Sequence, residues 1–225
     1  MISCGKAELA ALLAGKRVVI VGSGPGVLDN EPDFIDGHDV VVRVNNWRLS
    51  DPTGYRCDVF YSFFGGSIKT SAEECIEAGV KLCMCKCPDA KFMESEWHRR
   101  MNKPNGVDFR YIYRDRASWW FCPVYVPSLE EFQEVFNLLD GHIPSTGFSA
   151  ILAIIEHKPS ALHLTGFDFF ASRIHNVSEP WRPGNPDDPI GHAPEKERAF
   201  VKTLAAAYAG QVITFDKRLA AIMEG

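Results

Sequence analysis

The chain has no run of roughly 20 consecutive apolar residues, so nothing in it reads as a transmembrane helix. It has no basic stripe and a formal net charge of −5, which argues against a dedicated nucleic-acid binder. Its seven cysteines (Cys4, Cys57, Cys75, Cys83, Cys85, Cys87 and Cys122) include no C-x-x-C pair, and their usage fits a reducing, cytoplasmic setting. No two aspartates stand in D-x-D spacing, the arrangement that often holds a divalent ion on a nucleoside diphosphate, so no metal site is expected. Internal repeats and low-complexity tracts are absent, as is a cleavage-like site near the start. Residues 1–15 read as a short amphipathic helix rather than a signal peptide.

At 225 residues and 46% hydrophobic, the chain is long enough for one large core and short for two domains, so one domain spanning 1–225 is expected. A β-branched run predicts a strand at 17–21 and a β-rich one at 40–44, and further strands are expected at 58–62, closed by Gly65-Gly66, at 161–165, ending at Gly166, and at 211–215. Residues 80–87 read as a strand with Cys83, Cys85 and Cys87 on one face; zinc held by these thiols and a fourth ligand is the minor alternative. Amphipathic periodicity predicts helices at 71–78, 130–139 (with Ser128 as N-cap), 145–157 and 195–209. Strands alternating with helices define an α/β fold: a mostly parallel sheet, helices on both faces, a single Rossmann-like domain. In such sheets ligands bind at the carboxyl ends of the strands. The polar clusters that fall there are Gly22 to Gly26, Asn45 with Asn46, Ser62, and the loop from 166 to 192; Ser145-Thr146-Gly147 can join them from a helix start.

Each cluster has a plain reading beside a functional one. The glycine turn allows close backbone approach to a ligand, but its spacing is G-x-G-x-G and not the dinucleotide pattern G-x-G-x-x-G. A nicotinamide enzyme also needs an acidic residue where Asn45 stands. Arg43 as receiver of a 2′-phosphate keeps an NADP-dependent oxidoreductase open as the alternative class. Ser145-Thr146-Gly147 is either a simple helix cap or an anion site built on exposed amides. His175 and His192 are ordinary loop histidines when taken singly. His192, just before a helix, would have its pKa lowered there, which favours the neutral imidazole a general base requires.

Taken in order, the clusters resemble a known family. Residues 19–62, with GSGPG and RVNN, are similar to the long donor-binding motif of glycosyltransferase family 29, the eukaryotic-type sialyltransferases. Residues 144–167, from PSTG to Gly166-Phe167, resemble that family's short motif. His192 and Glu197 reproduce its H-x4-E motif, and His175 falls close to its third-motif histidine. The bacterial family 42 sialyltransferases share a similar series, including G-x-D-F and the Ile190-Gly191-His192 triplet.

The resemblance implies a GT-A type Rossmann-like fold without a cofactor, moving sialic acid from CMP-sialic acid to a hydroxyl of an acceptor glycan with inversion. It implies His192 as general base, Glu197 as its structural support, and His175 as donor to the departing phosphate. It places Ser23, Gly24, Asn45, Ser145, Thr146 and Gly147 on the CMP-sugar donor, with Asn46 and Ser62 within reach. A donor carrying CMP-linked Kdo and a catalytically silent nucleotide-binding domain are the competing readings. Departures from the family are informative. The disulfide linking the eukaryotic motifs would fall near Val18 and Lys158, so both cysteines are missing, as a cytoplasmic relative would show; a Golgi-lumenal form without its anchor is the alternative. The first of the bacterial family's tyrosine pair falls at Phe170, which leaves His175 or Arg173 to assist the leaving phosphate. Residues 88–127 match neither family. Their aromatics and arginines suit a lid or acceptor-site insertion, or an ordinary insertion packed on the sheet. The acceptor sugar and the oligomeric state are not legible.

Overall fold

A computed structural model describes residues 2–31, 33–65, 67–100, 102–112, 121–171, 192–208 and 212–225. Eight parallel strands form one sheet: β1 (Ile2–Ser3), β2 (Arg17–Val21), β3 (Val40–Val44), β4 (Val59–Ser62), β5 (Leu82–Cys85), β8 (Pro123–Tyr125), β9 (Ala161–Thr165) and β10 (Val212–Phe215). Their spatial order is β1-β8-β5-β4-β3-β2-β9-β10. Two short strands, β6 (Lys91–Phe92) and β7 (Val107–Asp108), pair antiparallel beside it. The helices are α1 (Lys6–Leu13), α2 (Ala72–Glu77), α3 (Ser95–Arg100), α4 (Leu129–Leu138), α5 (Thr146–Ile155), α6 (Pro194–Ala207) and α7 (Lys217–Glu224).

Strand alternation sorts the core into two layers, because successive side chains leave a strand on opposite faces. Val18, Ile20, Val40, Val42, Val59, Tyr61, Leu82, Met84, Leu162 and Leu164 form one face. It is covered by Leu9 and Leu13 of α1, Ile151 and Ile154 of α5, Val201 of α6, and Leu219 of α7. Phe60, Cys83 and Cys85 point the other way, against Cys75, Trp97, Phe132 and Phe136 from α2, α3 and α4. Strands buried on both faces read as continuous apolar runs, which is why RVVIV and VVVRV were recognisable.

The cysteine strand is β5, and all seven cysteines are buried with none in a disulfide. Cys122 Sγ donates a hydrogen bond to Cys83 Sγ at 3.5 Å. No cluster of His, Cys, Asp or Glu suited to a metal ion occurs among the described residues. The described part of 88–127 packs on the sheet: Phe92, Trp97, Phe109 and Ile112 are buried, and β8 is itself a strand of the main sheet. Tyr113, Trp119 and Trp120 lie outside the described residues. No described helix is long and apolar enough to cross a membrane.

Candidate active site

β2 is the topological switch: the chain runs outward from it through β3, β4 and β5, then returns to place β9 on its other side. The loops leaving β2 and β9 therefore diverge and open a crevice at the carboxyl end of the sheet. Its floor is two turns in main-chain contact. Gly22 N donates to Thr165 O and Gly24 N to Gly166 O, both at 2.8 Å. A side chain at Gly22 would put its Cβ 2.4 Å from Gly166 O. Gly166 sits at φ +73°, with its own Cβ position 2.8 Å from Gly22 O, so only glycine fits either site. Asp216 caps α7 through Oδ1, which accepts from Leu219 N at 2.8 Å, while its Oδ2 accepts from Gly166 N at 2.7 Å.

The opposite wall is the start of α5. Ser145 is the N-cap, its Oγ accepting from Phe148 N at 3.1 Å. Ser145 in turn donates its N–H and its Oγ–H to the two carboxylate oxygens of Glu197, each at 2.6 Å. Glu197 is only 1% exposed. Burial pushes its carboxyl above the usual carboxylate range, against the opposing pull of the Ser145 bonds and the charge of Lys86. Beyond the cap, Thr146 and Gly147 carry first-turn N–H groups that the helical ladder does not use, and the helix dipole adds positive potential there. Gly147 abuts the Phe167 ring, since a Cβ would lie 2.6 Å from a ring carbon. That contact joins the PSTG segment to the Gly166-Phe167 pair.

His192 closes the crevice. Its Nδ1 donates to Ile143 O at 2.7 Å, which in the neutral ring assigns the lone pair to Nε2. Phe170 stacks on the imidazole at 5.7 Å between centroids and 22° between planes. Phe169 and Phe170 are both left-handed, at φ 47° and 62°, and the Asp168 carboxylate holds Phe170 N at 3.1 Å. Consecutive non-glycine residues in that region are strained, and such strain concentrates at functional sites. Asn45, also left-handed at φ 55°, lines the crevice. Its Oδ1 accepts from Ser62 Oγ and Phe63 N, both at 3.2 Å, so its amide Nδ2 is the group it offers to a ligand. The crevice encloses about 690 Å³, counted to its open mouth.

Of the residues expected from sequence, Ser23, Gly24, Asn45, Ser145, Thr146, Gly147 and His192 converge on this crevice. Ser62 does not line it: fully buried, it orients Asn45 and accepts from Phe64 N at 3.0 Å. Asn46 points away and is consumed by the neighbouring loop, donating to Ser67 O and accepting from Lys69 N at 3.0 and 2.7 Å. Arg43 is 0% exposed, with its guanidinium on the carbonyls of Thr53 and Arg56. The 2′-phosphate role therefore does not fit it. Glu197 supports Ser145, not His192. His175 and Arg173 lie outside the described residues. Sequence reasoning missed Asp168 and Asp216, although the acidic residue in Gly166-Phe167-Asp168 and the Asp before a short amphipathic stretch were both visible signals.

A sheet of this order with its crevice at the β2/β9 switch is that of a GT-A-like glycosyltransferase fold. No protein-family model and no curated protein matches the chain by sequence. Solved structures do, and those it resembles are sialyltransferases. A mammalian sialyltransferase in complex with Gal-β-1,3-GalNAc-ortho-nitrophenol matches at TM-score 0.58 and 17% identity, over 95% of this chain and 74% of its own. The sialyltransferase CstII from Campylobacter jejuni, in complex with the substrate analogue CMP-3FNeuAc, matches at 0.53 and 16%, over 92% and 83%. An α-2,3-sialyltransferase from Campylobacter jejuni in apo form matches at 0.55 and 16%, over 96% and 79%. At these identities the likeness establishes the shared fold.

Proposed function

We propose that the crevice transfers a sialic-acid-type sugar from a CMP-linked donor to a hydroxyl of an acceptor glycan, with inversion and without a metal ion. The observation that carries the reading is the juxtaposition of a clamped imidazole, His192, with the helix start at Thr146 and Gly147 across one crevice. The bacterial CstII structures with CMP or its sugar analogue bound, on the same fold, support it.

In this reading Thr146 and Gly147 N–H groups, Ser23 and the Asn45 amide hold the donor's phosphate and sugar. The acceptor hydroxyl attacks the anomeric carbon while its proton passes to His192 Nε2. The bond from that carbon to the phosphate oxygen breaks, and CMP departs with the electron pair. Negative charge growing on the phosphate meets the α5 amides, with His175 as the further donor. Phe170 cannot donate a hydrogen bond, and its stacking instead fixes the plane of the base. CMP carries a single phosphate, so protein donors can replace the divalent ion that a pyrophosphate usually recruits.

The test is transfer and donor hydrolysis with CMP-Neu5Ac, CMP-Kdo and NADP as competing ligands, in excess EDTA, for wild type and His192→Ala. Wild type is expected to release CMP from CMP-Neu5Ac in EDTA. The variant is expected to lose at least ~100-fold in kcat, the low end for a general base, with donor KM little changed. Undiminished transfer in the variant removes His192 from its role; release from CMP-Kdo alone reassigns the donor; binding without turnover across an acceptor panel leaves a silent domain.

A further inference from the structure

A second and much smaller cavity shares Gly22 and Ser23 with the crevice. It is bounded by Gly22 and Ser23 of the glycine turn, by Arg43 and Trp47, and by Arg48 and Thr53. Its free space is about 10 Å³ at the radius of a water molecule, room for one small body. Two buried donors on its lining side chains, Arg43 Nη1 and Trp47 Nε1, have no acceptor among the described residues.

Arg43 is the residue that makes this cavity unusual. Its Nε and Nη2 donate to the Arg56 and Thr53 carbonyls at 2.9 and 2.7 Å, and its guanidinium lies 5.7 Å from the Trp47 ring centroid. These contacts are all to neutral groups. The carboxylate that bears on it from a distance, Asp36, is engaged elsewhere, accepting from Tyr55 N and Arg56 N at 2.7 and 3.1 Å. The nearby Cys57 thiol is pushed up to about 12 by burial and is therefore uncharged at neutral pH. Among the described residues no carboxylate lines the cavity, and the exposed Arg48 is a second basic residue of its lining. A buried cation without an ionic partner is costly, and the cost is relieved by an anion placed on its open donor.

We infer that this cavity is a site for one small monovalent anion of the halide class, held between Arg43 Nη1 and Trp47 Nε1. The chemistry matches on three counts: two unpartnered buried N–H donors on lining side chains, a net positive lining, and space for a single compact ligand. A polyatomic anion such as sulfate is too large for the space, and a cation would meet the buried charge of Arg43. The site also explains why a tryptophan follows the two asparagines. The indole supplies both the second donor and the ring against which the guanidinium packs.

Crystals grown in sodium bromide give the direct test. A bromine anomalous peak is expected within hydrogen-bonding distance of both donors. Water density there without anomalous signal, or no density at all, overturns the proposal. In solution, thermal unfolding is compared in chloride and in gluconate at equal ionic strength, for wild type and Trp47→Phe, which keeps the ring and removes the donor. Chloride is expected to raise the wild-type Tm by about 2–4 °C, and the variant to lose that increment. An equal response in both proteins counts against the site, and if the variant does not fold the bromide crystals decide alone. Neither readout uses enzymatic activity, so failure here is distinct from failure of the transferase reading.

Discussion

Glu197→Ala is the substitution through which the crevice's construction is most directly tested. The wild-type carboxylate is 1% exposed and accepts two 2.6 Å bonds from Ser145, one from the main chain and one from Oγ. A hydrogen bond to a charged partner nets about 1.5–3 kcal/mol, so two are worth on the order of 3–6 kcal/mol. The buried charge itself subtracts from this, since its pKa is raised chiefly by desolvation. A net loss of about 2–4 kcal/mol follows, or a Tm drop of roughly 4–16 °C for a chain of this size. Glu197→Gln should lose only about 1 kcal/mol, because its carbonyl still accepts from Ser145 N and its amide can donate to Oγ. The pH dependence has a definite sign. A folded-state pKa raised above 4.5 means the folded protein binds the proton more tightly than the unfolded chain. The associated stability is complete below pH 4.5 and declines as pH rises through the folded pKa. The Gln variant lacks this titration, so its deficit is largest in acid and shrinks toward neutrality. Urea unfolding across pH and donor kinetics read both effects, with donor KM rising more than kcat falls as the Thr146 and Gly147 amides drift. A Glu197→Ala protein within 0.5 kcal/mol of wild type and with unchanged donor KM would refute the argument.

His163 is buried against Phe34 and His38, bonded through Nδ1 to Thr214 Oγ1, and its pKa is lowered to about 4 by burial, with His38 opposing its charge and Asp216 favouring it. The unfolded chain therefore takes up the proton first, and stability is lost as pH falls from 6.5 to about 4; His163→Gln should flatten that slope by up to about 3 kcal/mol, seen in urea midpoints across the range. Gly147→Ala drives a methyl to within 2.6 Å of the Phe167 ring; about 1–3 kcal/mol of overpacking and a raised donor KM are expected, and normal kinetics would show the contact to be idle. Gly166→Ala combines the left-handed φ with a 2.8 Å approach to the Gly22 carbonyl, whereas Gly15→Ala at φ +69° meets nothing within 4 Å. The Gly15 variant should lose about 1 kcal/mol and the Gly166 variant several times as much; equal losses in denaturant titrations would remove the role given to the contact.

The centre of the sheet was legible because β2 and β3 are β-branched runs closed by glycine and asparagine, and α4 because Ser128 stands three residues before Glu131, which forms a reciprocal capping box. β1 and β8 escaped notice at two and three residues, too short for any period to register. α7 was hidden by its place after a strand, although Asp216 signals the cap. The site divides the same way. Local motifs located the glycine turn, the helix start and His192. Long-range partnerships were beyond spacing: Glu197 looks like a companion of His192 five residues before it, yet it bonds Ser145, 52 residues away. Asn45 and Asn46 are indistinguishable as letters. Only the left-handed turn at Asn45 separates them, sending one amide into the crevice and the other to Ser67 and Lys69.

The glycine turn carries a less expected lesson. In nucleotide-binding folds such a turn is usually read as making room for phosphate, but here Gly22 and Gly24 are excluded from bearing side chains by Gly166, and Gly26 by the Asp216 carboxylate. The first two glycines of G-x-G-x-G thus dock on the main chain of the β9 turn and the third on the Asp216 carboxylate, so all three are fixed by the protein's own packing. Three buried groups act on the crevice from behind: Asp216 holds Gly166, Glu197 holds Ser145 and Ser62 holds Asn45. Each ties down an element of the crevice wall; Asp216 and Ser62 do so from outside the lining, whereas Glu197 is itself part of it. The donor groups are therefore set by folding, not by the substrate, and a preorganised polar site loses little reorganisation energy when charge develops on a leaving phosphate. On this argument the residues that matter for the proposed transfer extend past the crevice wall: Asp216 and Glu197 are acidic because the N–H groups of Gly166 and Ser145 demand an acceptor, and Ser62 is hydroxylic because the Asn45 carbonyl oxygen takes its proton.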